Sequence, residues 1–140
     1  MPDSTITNGH CLCGKVKVKV SNISTRVWAC HCGMCRRWGG GPLLSTDCGT
    51  GVIFEGEHNI SVYDSSDWAE RGFCGSCGTH LLYRLKENRQ YFMPVGLFEG
   101  DTGFILELQV FIDEKPEYYC FSNETRNMTG KEVFAGFSSQ

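Results

Sequence analysis

Long apolar runs are missing from this 140-residue chain. No stretch approaches the roughly 18 residues that a membrane helix needs, so no span is expected. An excess of basic residues is missing too. With 13 Lys and Arg against 16 Asp and Glu the formal charge is -3, which leaves no broad cationic surface to neutralise phosphates and argues against nucleic acid as a partner. The opening residues Met1-Pro2-Asp3-Ser4-Thr5 have neither the basic nor the apolar segment of a secretory leader, so a cytoplasmic location is expected. Helical periodicity is scarce: no segment repeats apolar residues at i, i+3, i+4 and i+7 over three turns, and helix is expected only as a short piece around Met34–Trp38. Internal repeats, low-complexity tracts and linkers are absent, and a chain of this length is expected to form one domain over residues 1–140.

What the sequence does have is short β-type runs and turns. From Lys15 to Val20 the stretch KVKVKV alternates strictly, placing Val16, Val18 and Val20 on one face and three lysines on the other, the period of a half-buried strand. Further strands are expected at Arg26–Ala29, Val52–Phe54, Ile60–Tyr63, His80–Leu85, Tyr91–Val95 and Ile105–Ile112. Turn signals such as Asp47-Cys48-Gly49-Thr50-Gly51 separate them, and 17 glycines suit a turn-rich fold. The fold class expected is mainly β, largely antiparallel.

Nine cysteines would suit either a disulfide scaffold or a set of metal ligands. An intracellular setting favours metal, and the odd count would leave at least one thiol over in a wholly disulfide-bonded chain. Spacing separates them into two sets. Cys11-Leu12-Cys13 precedes the alternating strand, and Cys74-Gly75-Ser76-Cys77-Gly78 follows a strand end at Phe73. If the strands carrying these half-sites are neighbours, four thiolates can close a tetrahedral structural zinc, the alternative being buried or redox-active thiols without metal. The second set, Cys30-His31-Cys32-Gly33-Met34-Cys35, puts three thiols on one tight loop. Three protein ligands and one exchangeable position are the arrangement of a catalytic zinc, although three thiolates leave the site formally at -1 and so favour holding a thiol over strong carbonyl activation. His31 lies between two of these thiols. Alternation on an extended chain points it away from them, towards a supporting role, with a fourth-ligand role as the alternative. Arg36 and Arg37 follow directly and are candidates to offset the charge and receive substrate carboxylates, or are two solvated side chains. Cys48 and Cys120 belong to no motif and are expected to be small buried apolar residues.

In this order the motifs resemble the glutathione-dependent formaldehyde-activating enzyme family, which also includes the centromere protein V relatives. The likeness runs from Gly9-His10-Cys11-Leu12-Cys13-Gly14 through CHCGMCRRWGG and the stretch from Arg71 to Leu81 to Val110-Phe111-Ile112-Asp113-Glu114-Lys115-Pro116. It implies stacked antiparallel sheets of a β-tent-like kind with zinc-ribbon-type cysteine sites and little helix. It also implies two zinc ions per chain, the structural one on Cys11, Cys13, Cys74 and Cys77 and the catalytic one on Cys30, Cys32 and Cys35. The activity implied is a carbon–sulfur lyase that forms S-hydroxymethylglutathione from glutathione and formaldehyde. Two departures bear on substrate choice: Gly96-Leu97-Phe98-Glu99 stands where many members have a small turn ending Leu-Asp, and Gln109 replaces a frequent histidine. Against the enzyme stand a structural zinc module for protein interaction and a thiol redox sensor, whose clustered thiolates oxidise once metal is lost.

Overall fold

The computed structural model describes residues 5–100 and 102–138. In chain order its strands are β1 (Ile6–His10), β2 (Lys17–Ser21), β3 (Arg26–Cys30), β4 (Leu43–Gly49), β5 (Val52–Glu55), β6 (Ile60–Tyr63), β7 (Ala69–Cys74), β8 (His80–Leu85), β9 (Tyr91–Pro94), β10 (Ile105–Val110) and β11 (Arg126–Met128), with helix α1 (Gly33–Gly39) after β3 and helix α2 (Gly130–Ser138) after β11. The chain forms two compact units that interleave in sequence. The first takes the chain up to Thr25 and from Thr46 to Gly103, and the second takes Arg26–Ser45 and the chain from Phe104 onward.

In the first unit, β1, β2 and β5 form one antiparallel sheet, and β6, β7, β8 and β9 run antiparallel in another. The alternation of KVKVKV becomes burial. Val16, Val18 and Val20 are at most 2% exposed and meet Cys74, Leu81, Leu82 and Met93 from the facing sheet. Each fully buried side chain of this size contributes about 1.5–3 kcal/mol, so the stacking of the two sheets rests on this apolar layer. Mainly β structure with stacked sheets and little helix is therefore what the chain adopts.

The second unit adds something the strand signals do not carry. Here β10 pairs in parallel with β3 on one side, with Val110 opposite Cys30, and with β11 on the other. Its apolar cluster consists of Leu108, Val110 and Val133, with Trp28, Cys30, Phe111 and Met128 against it. Phe111 has a left-handed backbone with φ of 55°, uncommon for a residue with a side chain, and turns the chain out of β10. Helix α2 starts from a capping box in which Glu132 N–H donates to Thr129 Oγ1 and Thr129 N–H to Glu132 Oε1. No helix among the described residues is long and apolar enough to cross a membrane.

Candidate metal centres

The hairpin between β1 and β2 carries the first half of the four-thiol set. Cys11 and Cys13 stand on a turn closed by Gly14 N–H donating to Cys11 O at 3.1 Å, and Leu12 points into solvent. The second half lies between β7 and β8. There Cys74 N–H donates to Thr79 O, Gly78 N–H donates to Cys74 O, and Gly78 takes a φ of 80° that a side chain would resist. Polar contacts join the halves: Leu12 N–H donates to Thr79 Oγ1 at 3.1 Å and Lys15 Nζ to Ser76 Oγ at 3.3 Å. Cys11, Cys13, Cys74 and Cys77 thus bring their four sulfurs within 4.8 Å of one another. A tetrahedral ion with Zn–S bonds of about 2.3 Å sets its sulfurs about 3.8 Å apart. Cys11 and Cys13 are 3.6 Å apart and Cys13 and Cys74 3.8 Å, so the set fits such an ion.

Electrostatics point the same way. The Thr79 hydroxyl, 3.1 Å from Cys77 Sγ, and then the Thr79 backbone pull Cys77 down to about 5. Burial works against a Cys11 thiolate, but Val16 N–H at 3.3 Å and the thiols of Cys13 and Cys74 outweigh it and lower Cys11. At Cys13 the Lys15 backbone N–H favours the thiolate, yet burial and the crowd of neighbouring thiols raise it to about 11. Four thiols this close cannot all ionise unless a cation sits among them.

The three-thiol set is built by the junction of β3 and α1. Cys30 ends β3, Cys32 caps α1 and accepts from Cys35 N–H at 3.4 Å, and Cys35 is buried in the first turn. Their sulfurs also lie within 4.8 Å of one another. The neighbouring Cys32 and Cys35 thiols, followed by burial, push Cys30 far up, so this set too needs a cation to become anionic. Glu114 Oε1 accepts from Gly33 N–H at 3.1 Å, and Arg36 Nε donates to His31 O at 2.9 Å, fixing the loop from both sides. His31, just past the end of β3, is fully buried with its ring turned to Tyr119 and Gln109. Burial lowers its pKa, and the Lys115 and Arg36 charges act in the same direction.

All seven motif cysteines are therefore gathered as two sets, and all nine cysteines are free thiols. Arg36 is half-buried beside the loop, whereas Arg37 is exposed on α1. Cys48 lies in the apolar core and burial raises it to about 12. Cys120 departs from expectation: it is exposed, because the aromatic stretch around it forms no strand. Glu114, Tyr119 and Thr125 carry no sequence signal as site residues, whereas Gln109, singled out in the sequence as a departure, lies buried against His31.

Residues 6–114 match the model of the family described as glutathione-dependent formaldehyde-activating enzyme. The chain belongs to this family. It is 35% identical over 126 residues to an uncharacterized lyase of Schizosaccharomyces pombe, covering 89% of this chain and 92% of that protein. A crystal structure of a Rhodobacter sphaeroides protein matches with a TM-score of 0.58 and 25% identity, over 66% of this chain and 88% of that one.

Proposed function

We propose that the chain is a zinc-dependent carbon–sulfur lyase of its family's type, adding a thiol such as glutathione to a small aldehyde such as formaldehyde to give S-hydroxymethylglutathione. The observation that carries this reading is the loop of Cys30, Cys32 and Cys35: three convergent sulfurs, with the imidazole between two of them facing the other way. Cys30, Cys32 and Cys35 would hold zinc, which when bound would supply an open position able to bind and ionise a thiol. In the addition the sulfur forms the new C–S bond, the carbonyl π bond breaks, and the thiol's proton ends on the former carbonyl oxygen. The chain's own residues orient the reactants. Glu114 and Arg36 hold the backbone of the loop, and Arg36 with Arg37 receives the carboxylates of a glutathione-like thiol. Cys11, Cys13, Cys74 and Cys77 hold the second zinc, which is structural. The name of the yeast relative as a lyase supports the same class.

The test is formaldehyde consumption by the zinc-loaded protein above the uncatalysed addition. Glutathione-dependent turnover that disappears in Cys32→Ser is expected. Absence of turnover with any thiol, in protein holding two zinc ions, would replace the enzyme with a structural zinc module.

A further inference from the structure

Behind the three-thiol loop runs a chain of hydrogen bonds, buried at His31 and Gln109 and reaching the surface at Asn127, that the proposed chemistry does not use. His31 Nδ1 lies 2.8 Å from Tyr119 Oη and Nε2 lies 2.8 Å from Gln109 Oε1. Gln109 Nε2 donates to Thr125 Oγ1 at 2.8 Å, and the Thr125 hydroxyl donates to Asn127 Oδ1 at 2.8 Å. The far end sets every direction. Because Asn127 Oδ1 only accepts, Thr125 gives it its one hydrogen and must accept from the Gln109 amide nitrogen. That turns Gln109 Oε1 to the ring, puts the ring hydrogen on Nε2, and leaves Nδ1 to accept from Tyr119. Both nitrogens are taken.

A histidine between two cysteine ligands is chemically fit to be a fourth ligand, and three cysteines with one histidine make a closed structural site. We propose that Gln109 and Tyr119 are positioning residues that prevent this closure. By occupying both ring nitrogens they hold the imidazole against Gln109 and Tyr119, away from the thiols of Cys30 and Cys32, and so reserve the fourth coordination position. Tyr119 and Thr125 lie beyond residue 114, where the match to the family model ends, so the lock draws on residues outside that model. The lyase reading supplies only the purpose of the reserved position; the lock is tested apart from it.

The experiment is 15N NMR of histidine-labelled, zinc-loaded full chain, run beside glutathione titrations of the cobalt-loaded protein. Wild-type His31 should carry hydrogen on Nε2, with neither nitrogen metal-bound. In the double variant Gln109→Met and Tyr119→Phe, one ring nitrogen should take a metal-bound shift and the apparent affinity for glutathione should fall about tenfold. Adding His31→Phe should restore that affinity, which a merely structural lesion would not allow. A metal-bound ring or an Nδ1–H tautomer in the wild type overturns the proposal without any variant having to fold. A double variant whose ring stays unligated, or whose lost response is not rescued by His31→Phe, overturns it as well. If the wild type ignores glutathione altogether, the lyase reading falls, and the ring shifts still decide the lock.

Discussion

Cys11 and Cys77, both in the four-thiol set, are shifted down by different routes: Cys11, against its burial, by a backbone N–H and neighbouring thiols, and Cys77 by a threonine hydroxyl two residues on. The two cysteine sets differ in how far they belong to an apolar core. Cys11 and Cys74 are fully buried and belong to the apolar core of the first unit, so a metal on them is part of that core. Metal binding at such a place is folding free energy. Cys74→Ser should therefore lower stability by about 4 kcal/mol or more, whereas Cys32→Ser, on a loop also held by Glu114 and Arg36, should cost far less. Denaturant unfolding of the two zinc-loaded variants decides this, and equal losses would mean that the two roles are wrongly divided. The seven ligand-type cysteines were legible from spacing alone, because spacings of one and two residues allow sulfurs to converge almost wherever the chain runs. Tyr119 and Thr125 were not. They reach His31 across 88 residues of chain in one case and through Gln109 in the other, and no local pattern encodes such a meeting.

Strands were legible where alternation met burial, as in β2, and blurred where it did not. Strand β1 carries Thr7, Asn8 and Gly9 and has no apolar rhythm; it exists because all five of its residues pair with β2. The parallel pairing of β3 and β10 was out of reach for the same reason, since alternation reports which face is buried and not which strand lies alongside. Helix α2 had a readable start in Thr129 and Glu132, but its apolar residues are too few to stand out over so short a length. One turn is decisive for the four-thiol set. Gly56 has a φ of 80°, and a Cβ there would sit 1.9 Å from Lys15 O, two residues from Cys13. Gly56→Ala should destabilise by roughly 2–4 kcal/mol, from left-handed strain plus a backbone clash that no rotamer relieves. Thermal unfolding measures it, and a loss below about 0.5 kcal/mol would show that the paired strands β2 and β5 accommodate the methyl group by shifting.

Across the whole molecule, each cysteine set lies within one of the two units, the four-thiol set in the first and the three-thiol set in the second. The two metals are therefore expected to behave independently, and a reagent that competes for one need not disturb the other. Net charge of -3 gives no general attraction for an anionic thiol, so the proposed substrate would have to be recognised by groups around the three-thiol loop, the role proposed for Arg36. The central claim is that this loop offers an exchangeable position while the four-thiol set stays shielded. Cobalt substituted at both sites makes the claim visible, because each tetrahedral thiolate site absorbs on its own and a soft thiolate competes well for a sulfur-rich site. Adding glutathione should change the absorption of one cobalt ion, or extract that ion, while the other keeps its spectrum, and Cys32→Ser should abolish the response. A spectrum indifferent to millimolar glutathione, or one in which both ions respond alike, would contradict it.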